Sequence, residues 1–278
     1  MNSSVKLVVR ALYRYPVKSC GAEPVDALEF AQNGLVRGDR EWIVVDEQAN
    51  AVWLGSHPRL AVVRPRLRAE GLTLVNGVGD RVDVPLVGDA DQVKFQVWND
   101  TTKCHEVHRG SDAGHEAARF LQQTAGPGLR LVRLGRAALQ RSGLNAVHIA
   151  AEDSYQEFLA ALPPDQRERG HLLRFRPNVV LGGLDERLVP FIEDQLTQLE
   201  WSSSQGSGTL EVTSPCIRCV APNIDPDSGS VDNSILETVS KLSVQRNPTQ
   251  PICFGVYARS PGQGVLTRDA VMTGTIAF

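Results

Sequence analysis

Short runs in which apolar and polar residues alternate, separated by turn residues, fill the first half of this chain. "VKLVVRALYRYPV", "REWIVVDEQANAVWL", "LAVVRPRLRAEGLTLV" and "DQVKFQVWN" all mix β-branched or aromatic residues with polar ones. A period of two buries one face of a strand, so these runs predict β-structure, with "DEQAN" and "AEGL" as the turns between them. Helical signals are fewer. "DAGHEAARFLQQTAG" predicts a helix capped by Asp112, with Ala117, Phe120 and Leu121 on one face and Gly126 ending it. After a short strand "NAVHIA", a second helix is predicted in "EDSYQEFLAAL", ended by Pro163 and Pro164. "RPNVVLGG" reads as a strand, "IEDQLTQLEWSSSQGSGTLEVTSPC" as two strands around a Gly/Ser turn, and the tail as β again. The expected class is mainly β with helices (α+β), in two closely joined parts that divide near residues 120–135.

The 278 residues have a net charge of -3 and are 42% hydrophobic, the profile of an ordinary soluble globular protein. That balance argues against bulk binding to nucleic acid or an acidic membrane, so any anion site must be a local cluster of Lys and Arg. The N-terminus lacks an apolar block of signal-peptide length, and no bilayer span is expected. Five cysteines, an odd number, argue against a disulfide framework. A cytoplasmic protein with reduced thiols is the expectation.

Chemistry concentrates in "SPCIRCVAPNIDPDSG", where Cys216 and Cys219 stand two residues apart. A zinc site would need a second pair of ligands. Cys104, His105, His108 and His115 could supply it, but in a strand His105 and His108 point to opposite faces. A thioredoxin-like pair needs its first Cys at a helix N-terminus, and Pro215 before the pair with "VAPNIDPDSG" after it leaves no helix to start. An EF-hand beginning at Asp225 would need Gly at Ser230 and Glu at Leu236. Two buried cysteines in a loop are the plain alternative. Arg218 directly precedes Cys219, and a neighbouring guanidinium favours thiolate, the soft ligand of a polarizable metal. One protein thiolate leaves the metal's other ligands to an organic group carrying sulfur and phosphate, which would need cations. Candidates stand at turns: Lys18 in "YPVKS", Arg37 and Arg40 around a Gly-Asp turn, and Arg174 and Arg176 expected on one face of an extended "LLRFRPNVV".

In chain order, "YPVKSC", "NGLVRGDREWIVVDE", "RFRPNVVL", "CIRCVAPNIDPDSG" and "FGVYARS" resemble the MOSC superfamily with its N-terminal β-barrel domain, in the branch of the bacterial and mitochondrial amidoxime-reducing molybdenum enzymes. The resemblance runs from about Leu7 to the C-terminus. It implies an N-terminal β-barrel-like domain over 1–123 joined to a MOSC β-barrel domain over 124–278. It also implies a molybdenum cofactor (molybdopterin) whose metal is ligated by Cys219, the catalytic residue. Lys18, Arg40, Arg176 and Asn178 would bind the pterin or its phosphate, Arg218 would line the site, and Asp225 would brace the loop. Reduction of small N-hydroxylated compounds is the implied activity. No haem, flavin or iron–sulfur motif is present, so electrons would come from a separate protein of ferredoxin or cytochrome type with its reductase. The superfamily also has an association with pyridoxal phosphate. A sulfur carrier with a persulfide on Cys219, and a silent anion-binding protein, are the rival expectations. Two stretches depart from the family pattern: Ser56 and His57 replace a polar, Arg-containing stretch, and Asn145 is the polar candidate in "SGLNAVHIAAE". His57 is therefore a candidate active-site group, His148 a core or rim residue, and His171 part of the loop before the RFRPN strand.

Overall fold

A computed structural model of the chain describes residues 3–86, 92–99, 102–140, 146–184, 188–249 and 251–276. The alternating first half does form strands: β1 (Ser3–Arg14), β2 (Glu23–Val25), β3 (Ala27–Phe30), β4 (Trp42–Val45), β5 (Arg64–Arg68), β6 (Gly71–Val75), β7 (Arg81–Pro85), β8 (Gln92–Asn99) and β9 (Cys104–Asp112). Helix α1 (His115–Ala125) follows, then β10 (Arg130–Leu134), the single-turn α2 (Arg136–Leu139), β11 (Val147–Ala151) and helix α3 (Glu152–Ala161). The chain continues through β12 (Val179–Gly183), β13 (Leu196–Ser203), β14 (Gly206–Ile217), helix α4 (Ser234–Arg246), β15 (Cys253–Arg259), β16 (Gly264–Thr267) and β17 (Val271–Ile276). The molecule is mostly β, as the alternation predicts.

The organising element is a closed seven-stranded barrel, in the order β12-β11-β15-β14-β13-β17-β1, closed by pairing of β1 with β12. Closure satisfies every edge, and the inward residues fill the interior. Leu7 and Val9 of β1 point in, and a bulge between Val9 and Ala11 resets the register so that Leu12 also enters. They meet Ile149, Leu181, Leu199, Leu210, Val256 and Met272 from the other staves. The strands β11 and β12 run parallel, which requires a crossover, and α3 supplies it. The N-terminal strand thus belongs to a barrel otherwise built from the second half of the chain. Conversely, β10 joins the sheet β4-β10-β9-β8 of the first half.

Three local readings change. Helix α1 buries Ala117, Phe120 and Leu121 and stops at Gly126, as expected, but its N-cap position is Gly114; Asp112 closes β9, two residues before it, and accepts a hydrogen bond from Gly114 N at 2.7 Å. Helix α4 is not apparent in the sequence, because it is rich in Ser and β-branched residues. Tertiary packing holds it: Ile235, Val239 and Leu242 sit against Phe158, Phe175 and Phe254. The RFRPN stretch is not extended at its start. Leu172–Phe175 is a 3₁₀ turn in which His171 Nδ1 accepts from Leu173 N at 3.2 Å, and Arg176 is left-handed at φ 57. Phe175 stacks on Phe254 at 3.9 Å between centroids and meets Phe158 edge-on at 4.9 Å. With that ring locked in the aromatic core, the turn and not strand alternation sets the two arginines: Arg174 donates to Asp225 at 2.7 Å and Arg176 to Cys20 O at 2.6 Å.

Candidate functional site

A cleft of about 370 Å³ opens at one end of the barrel, where first-half loops meet the ends of β11, β12 and β14. Lys18, Arg40, Arg176, Arg218 and Cys219 all line it. Trp53, Trp98, His148 and Tyr257 complete its walls. Five sequence-predicted residues therefore converge from four separate stretches of chain. Asn145 lies outside the described residues. Ser56 and His57 do not line the cleft; they bond to each other, Ser56 Oγ to His57 Nδ1 at 3.0 Å.

The backbone is bent to bring these groups in. Of the non-glycine residues with positive φ, Ser19 (72°), Arg40 (52°) and Arg176 (57°) all line the cleft. A left-handed non-glycine residue costs about 1–2 kcal/mol, so the surrounding contacts must enforce it. For Arg40 the enforcing group is Asp39, itself buried. Asp39 Oδ1 accepts from Tyr15 N at 2.7 Å and from Asn178 Nδ2 at 3.3 Å, and Oδ2 accepts from Arg40 Nη1. Gly38, at φ 75, makes the preceding turn, where a Cβ would come within 2.4 Å of Leu67 Cδ2.

Asn178 stands behind the wall of the cleft, fully buried. Its Oδ1 accepts from Arg40 Nη1 at 2.9 Å and from His148 N at 3.1 Å, and its Nδ2 donates to Tyr13 O at 3.1 Å. Its amide thus positions Arg40 rather than facing the cavity. Asp225 is also outside the lining. It accepts from Arg174 Nη2 at 2.7 Å and from Asp227 N and Ser228 N, tying down the loop after Cys219. Burial would raise its carboxyl, but the bonds from Ser228 and Asp227 and the Arg174 charge hold it below the usual range.

The cations are unevenly matched. The Tyr15 ring holds two guanidiniums, Arg40 at 4.8 Å and Arg176 at 4.3 Å from its centre. Arg40 has Asp39. Among the described residues, Arg176 has no carboxylate partner: its Nη1 donates to Cys20 O at 2.6 Å. Burial first, and the like charge of Arg40 as well, pull its pKa down to about 10, leaving it charged at neutral pH. Arg218 is also without a carboxylate among the described residues; it donates to Cys216 Sγ at 2.8 Å and Phe175 O at 3.1 Å, and its buried Nε has no hydrogen-bond partner. Arg218 is balanced by the Cys216 sulfur behind the lining, but a largely desolvated charge such as Arg176, with no acidic partner among the described residues, is costly, so this cleft is suited to accept an anion.

The cysteines divide their roles in a way the sequence does not announce. All five are free, and Cys219 is exposed on the cleft wall. The guanidinium expected beside Cys219 turns instead to Cys216. Cys216 is fully buried. Burial raises its thiol, but the charges of His148 and Arg218 outweigh that and bring it down to about 6. The His148 Nε2 lies 3.1 Å from Phe254 O, and its buried Nδ1 has no hydrogen-bond partner among the described residues. Tyr257 is held protonated, by burial first and then by the negative sulfur, so it remains a donor. Period-two spacing was the available signal: Cys216 and Arg218 are two apart at the end of a strand and so share a side. No cluster of three or more His, Cys, Asp or Glu side chains suited to a metal occurs among the described residues, so a protein-only zinc site at Cys216 and Cys219 is not formed there.

An anion-accepting cleft with one accessible thiol, at the mouth of a seven-stranded barrel, defines a class. Residues 6–126 match the MOSC N-terminal beta barrel domain and residues 139–274 match the MOSC domain, so the chain is a MOSC protein preceded by its N-terminal barrel domain. It is similar to the molybdenum cofactor sulfurase of Drosophila grimshawi, 31% identical over 264 residues that cover 90% of this chain and 32% of that protein. It is also similar to the mitochondrial amidoxime-reducing component 1 of Homo sapiens, 28% identical over 273 residues covering 89% and 75%. The mitochondrial amidoxime reducing component 2 of Bos taurus is 27% identical over 282 residues, covering 92% and 77%. The chain spans about a third of the length of the sulfurases it matches.

Proposed function

We propose that this protein binds a molybdenum cofactor in the cleft, through Cys219 on the metal, and reduces N-hydroxylated compounds with electrons from a separate donor protein. One observation carries the reading: two part-buried guanidiniums, Arg176 and Arg218, with no carboxylate partner among the described residues, share a cleft with an exposed thiol. That donor set suits a ligand that is both anionic and metal-bearing. The cations would hold the phosphate-bearing pterin, and a soft sulfur is what molybdenum takes from a protein. When bound, the cofactor supplies oxygen-atom and two-electron chemistry that no side chain can.

The chain's own contribution is placement. Tyr15 and Asp39 fix Arg40, and Asn178 fixes Arg40 against β11. The Arg174–Asp225 pair holds the loop that presents Cys219. Cys216 anchors Arg218 without placing a carboxylate in the cleft, where it would repel an anion. Trp53 and Trp98 give the entrance apolar walls. In the overall reaction an amidoxime gains two electrons and two protons, its N–O bond breaks and water leaves.

Similarity to the sulfurases, together with the exposure of Cys219, favours a second reading: a transient persulfide on Cys219 delivered to a cofactor. The two separate experimentally. Protein carrying cofactor should reduce an aromatic amidoxime with reduced viologen as electron source, and the Cys219→Ser variant should not. If turnover is absent and mass spectrometry finds an added sulfur on Cys219 after incubation with a polysulfide, whose terminal sulfane sulfur passes to the thiolate while the shortened polysulfide leaves, the reductase reading fails and the carrier reading stands.

A further inference from the structure

A second cavity, of about 290 Å³, lies on the other side of the Tyr15–Arg176 wall. It is lined by Arg64, Arg66, Arg174 and Arg176, with Tyr13 and Tyr15 as aromatic walls. Nothing in the proposed chemistry uses it. The carboxylate in its lining, the largely exposed Asp227, is taken by Arg64 at 2.5 Å, and Arg174 is paired at 2.7 Å with Asp225, which stands outside the lining. The strand β5 puts Arg64 and Arg66 on one face, because they are two residues apart. Among the described residues Arg66 has no carboxylate partner; its Nη1 donates to Ala22 O at 3.1 Å and, weakly, to Pro65 O at 3.5 Å. Arg176, shared with the first cleft, is the other unmatched cation.

Four guanidiniums against two carboxylates leave this cavity with excess positive charge at short range. Planar N–H forks and a tyrosine-walled chamber suit a compact oxyanion with several acceptor oxygens. We propose that this cavity is a binding site for a phosphate-class anion, held between Arg66 and Arg176 and closed on one side by Arg64. Because Arg176, Leu54 and Ala221 line both cavities, the anion has two sources: free phosphate, or a phosphoryl group on a ligand that reaches through from the first cleft. The proposal does not depend on molybdenum, since it concerns residues that lie outside the cofactor's proposed contacts except for Arg176.

The test is calorimetric titration of the full chain, purified without cofactor, with inorganic phosphate at low ionic strength. Arg66→Gln changes a residue at the cavity's exposed rim, so the fold should be kept, and circular dichroism checks that. It should weaken phosphate binding by at least about tenfold, the loss expected for one charge-assisted contact. Lys18→Gln, which alters only the first cleft, should leave that site intact. Repeating the titration on cofactor-loaded protein identifies the source: retained binding supports free phosphate, and lost binding supports a phosphoryl group reaching through. Binding unchanged in Arg66→Gln, or abolished in Lys18→Gln, would place the anion in the first cleft and overturn the proposal, while leaving the molybdenum reading untouched.

Discussion

Asn178 is the residue through which the fold and the site depend on one another, and replacing it gives the sharpest energetic prediction. Its side chain ties three segments: the end of β1 through Tyr13 O, the turn at residues 39–40 through Asp39 and Arg40, and the start of β11 through His148 N. In Asn178→Ala the His148 N–H and the Tyr13 carbonyl face a methyl group. A buried polar group that loses its partner costs about 1–3 kcal/mol. Arg40 keeps Asp39, and Asp39 keeps Tyr15 N, so those two are only partly deprived. The expected loss is about 2–5 kcal/mol, a large share of the 5–15 kcal/mol typical of a folded domain. Urea unfolding followed by fluorescence should show the midpoint falling by at least about 0.7 M, the lower loss divided by a slope of about 3 kcal/mol/M, with an unchanged slope. Asn178→Asp keeps the acceptor but cannot donate to Tyr13, and it sets a second carboxylate beside Asp39. It should be destabilised at neutral pH and recover in part as acid protonates the new carboxyl. A midpoint shift below about 0.3 M in the alanine variant would refute the premise that this network holds the cleft together.

Cys216 should show thiolate absorbance at 240 nm that titrates near pH 6 and disappears in Cys216→Ser. In the unfolded chain the thiol keeps its proton to about pH 8.5, so the unfolded state binds more protons between these values. Stability should therefore rise with pH from about 6 to about 8.5 and be lost as pH falls through 6, and Cys216→Ser should flatten that slope in denaturant melts. Gly255 has φ 71, and a Cβ there would lie 2.4 Å from Ile149 O and 2.5 Å from His148 Nε2. Gly255→Ala should cost at least about 2 kcal/mol and raise the Cys216 pKa by displacing the imidazole, which the same melts and absorbance titration report. Phe175→Ala should cost about 3–5 kcal/mol by emptying the aromatic core, and should release Arg176 from the cleft; a urea midpoint and phosphate titration read the two effects.

Much of the architecture is written locally. Alternation in "VKLVVRALYRYPV" gives β1, and Pro163–Pro164 gives the end of α3. Local pattern does not reveal partners separated by most of the chain, and so the pairing of β1 with β12 and β17 is not legible in it. The extended reading of "LLRFRPNVV" fails for the same reason. What bends it is the insertion of Phe175 between Phe158 and Phe254, a long-range packing event. The site was more legible, because Lys18, Arg40, Arg176, Arg218 and Cys219 stand in recognisable stretches. Adjacency misled at one point. Arg218 follows Cys216 by two and precedes Cys219 by one, and the register irregularity between Pro215 and Ile217 sends Cys216 inward and Ile217 outward. The guanidinium follows the buried sulfur. Helix α4 and the second arginine-lined cavity had no sequence signal beyond the charges themselves.

The central claim is that the sulfur at position 219 is bonded to molybdenum. Elemental analysis by mass spectrometry, on protein made in a host that synthesises the pterin cofactor, tests it directly, with Cys219→Ser and Cys216→Ser purified in parallel. The account predicts about one molybdenum per chain in the unsubstituted protein and in Cys216→Ser, and little in Cys219→Ser. Equal molybdenum in all three, or its loss only from Cys216→Ser, would contradict it.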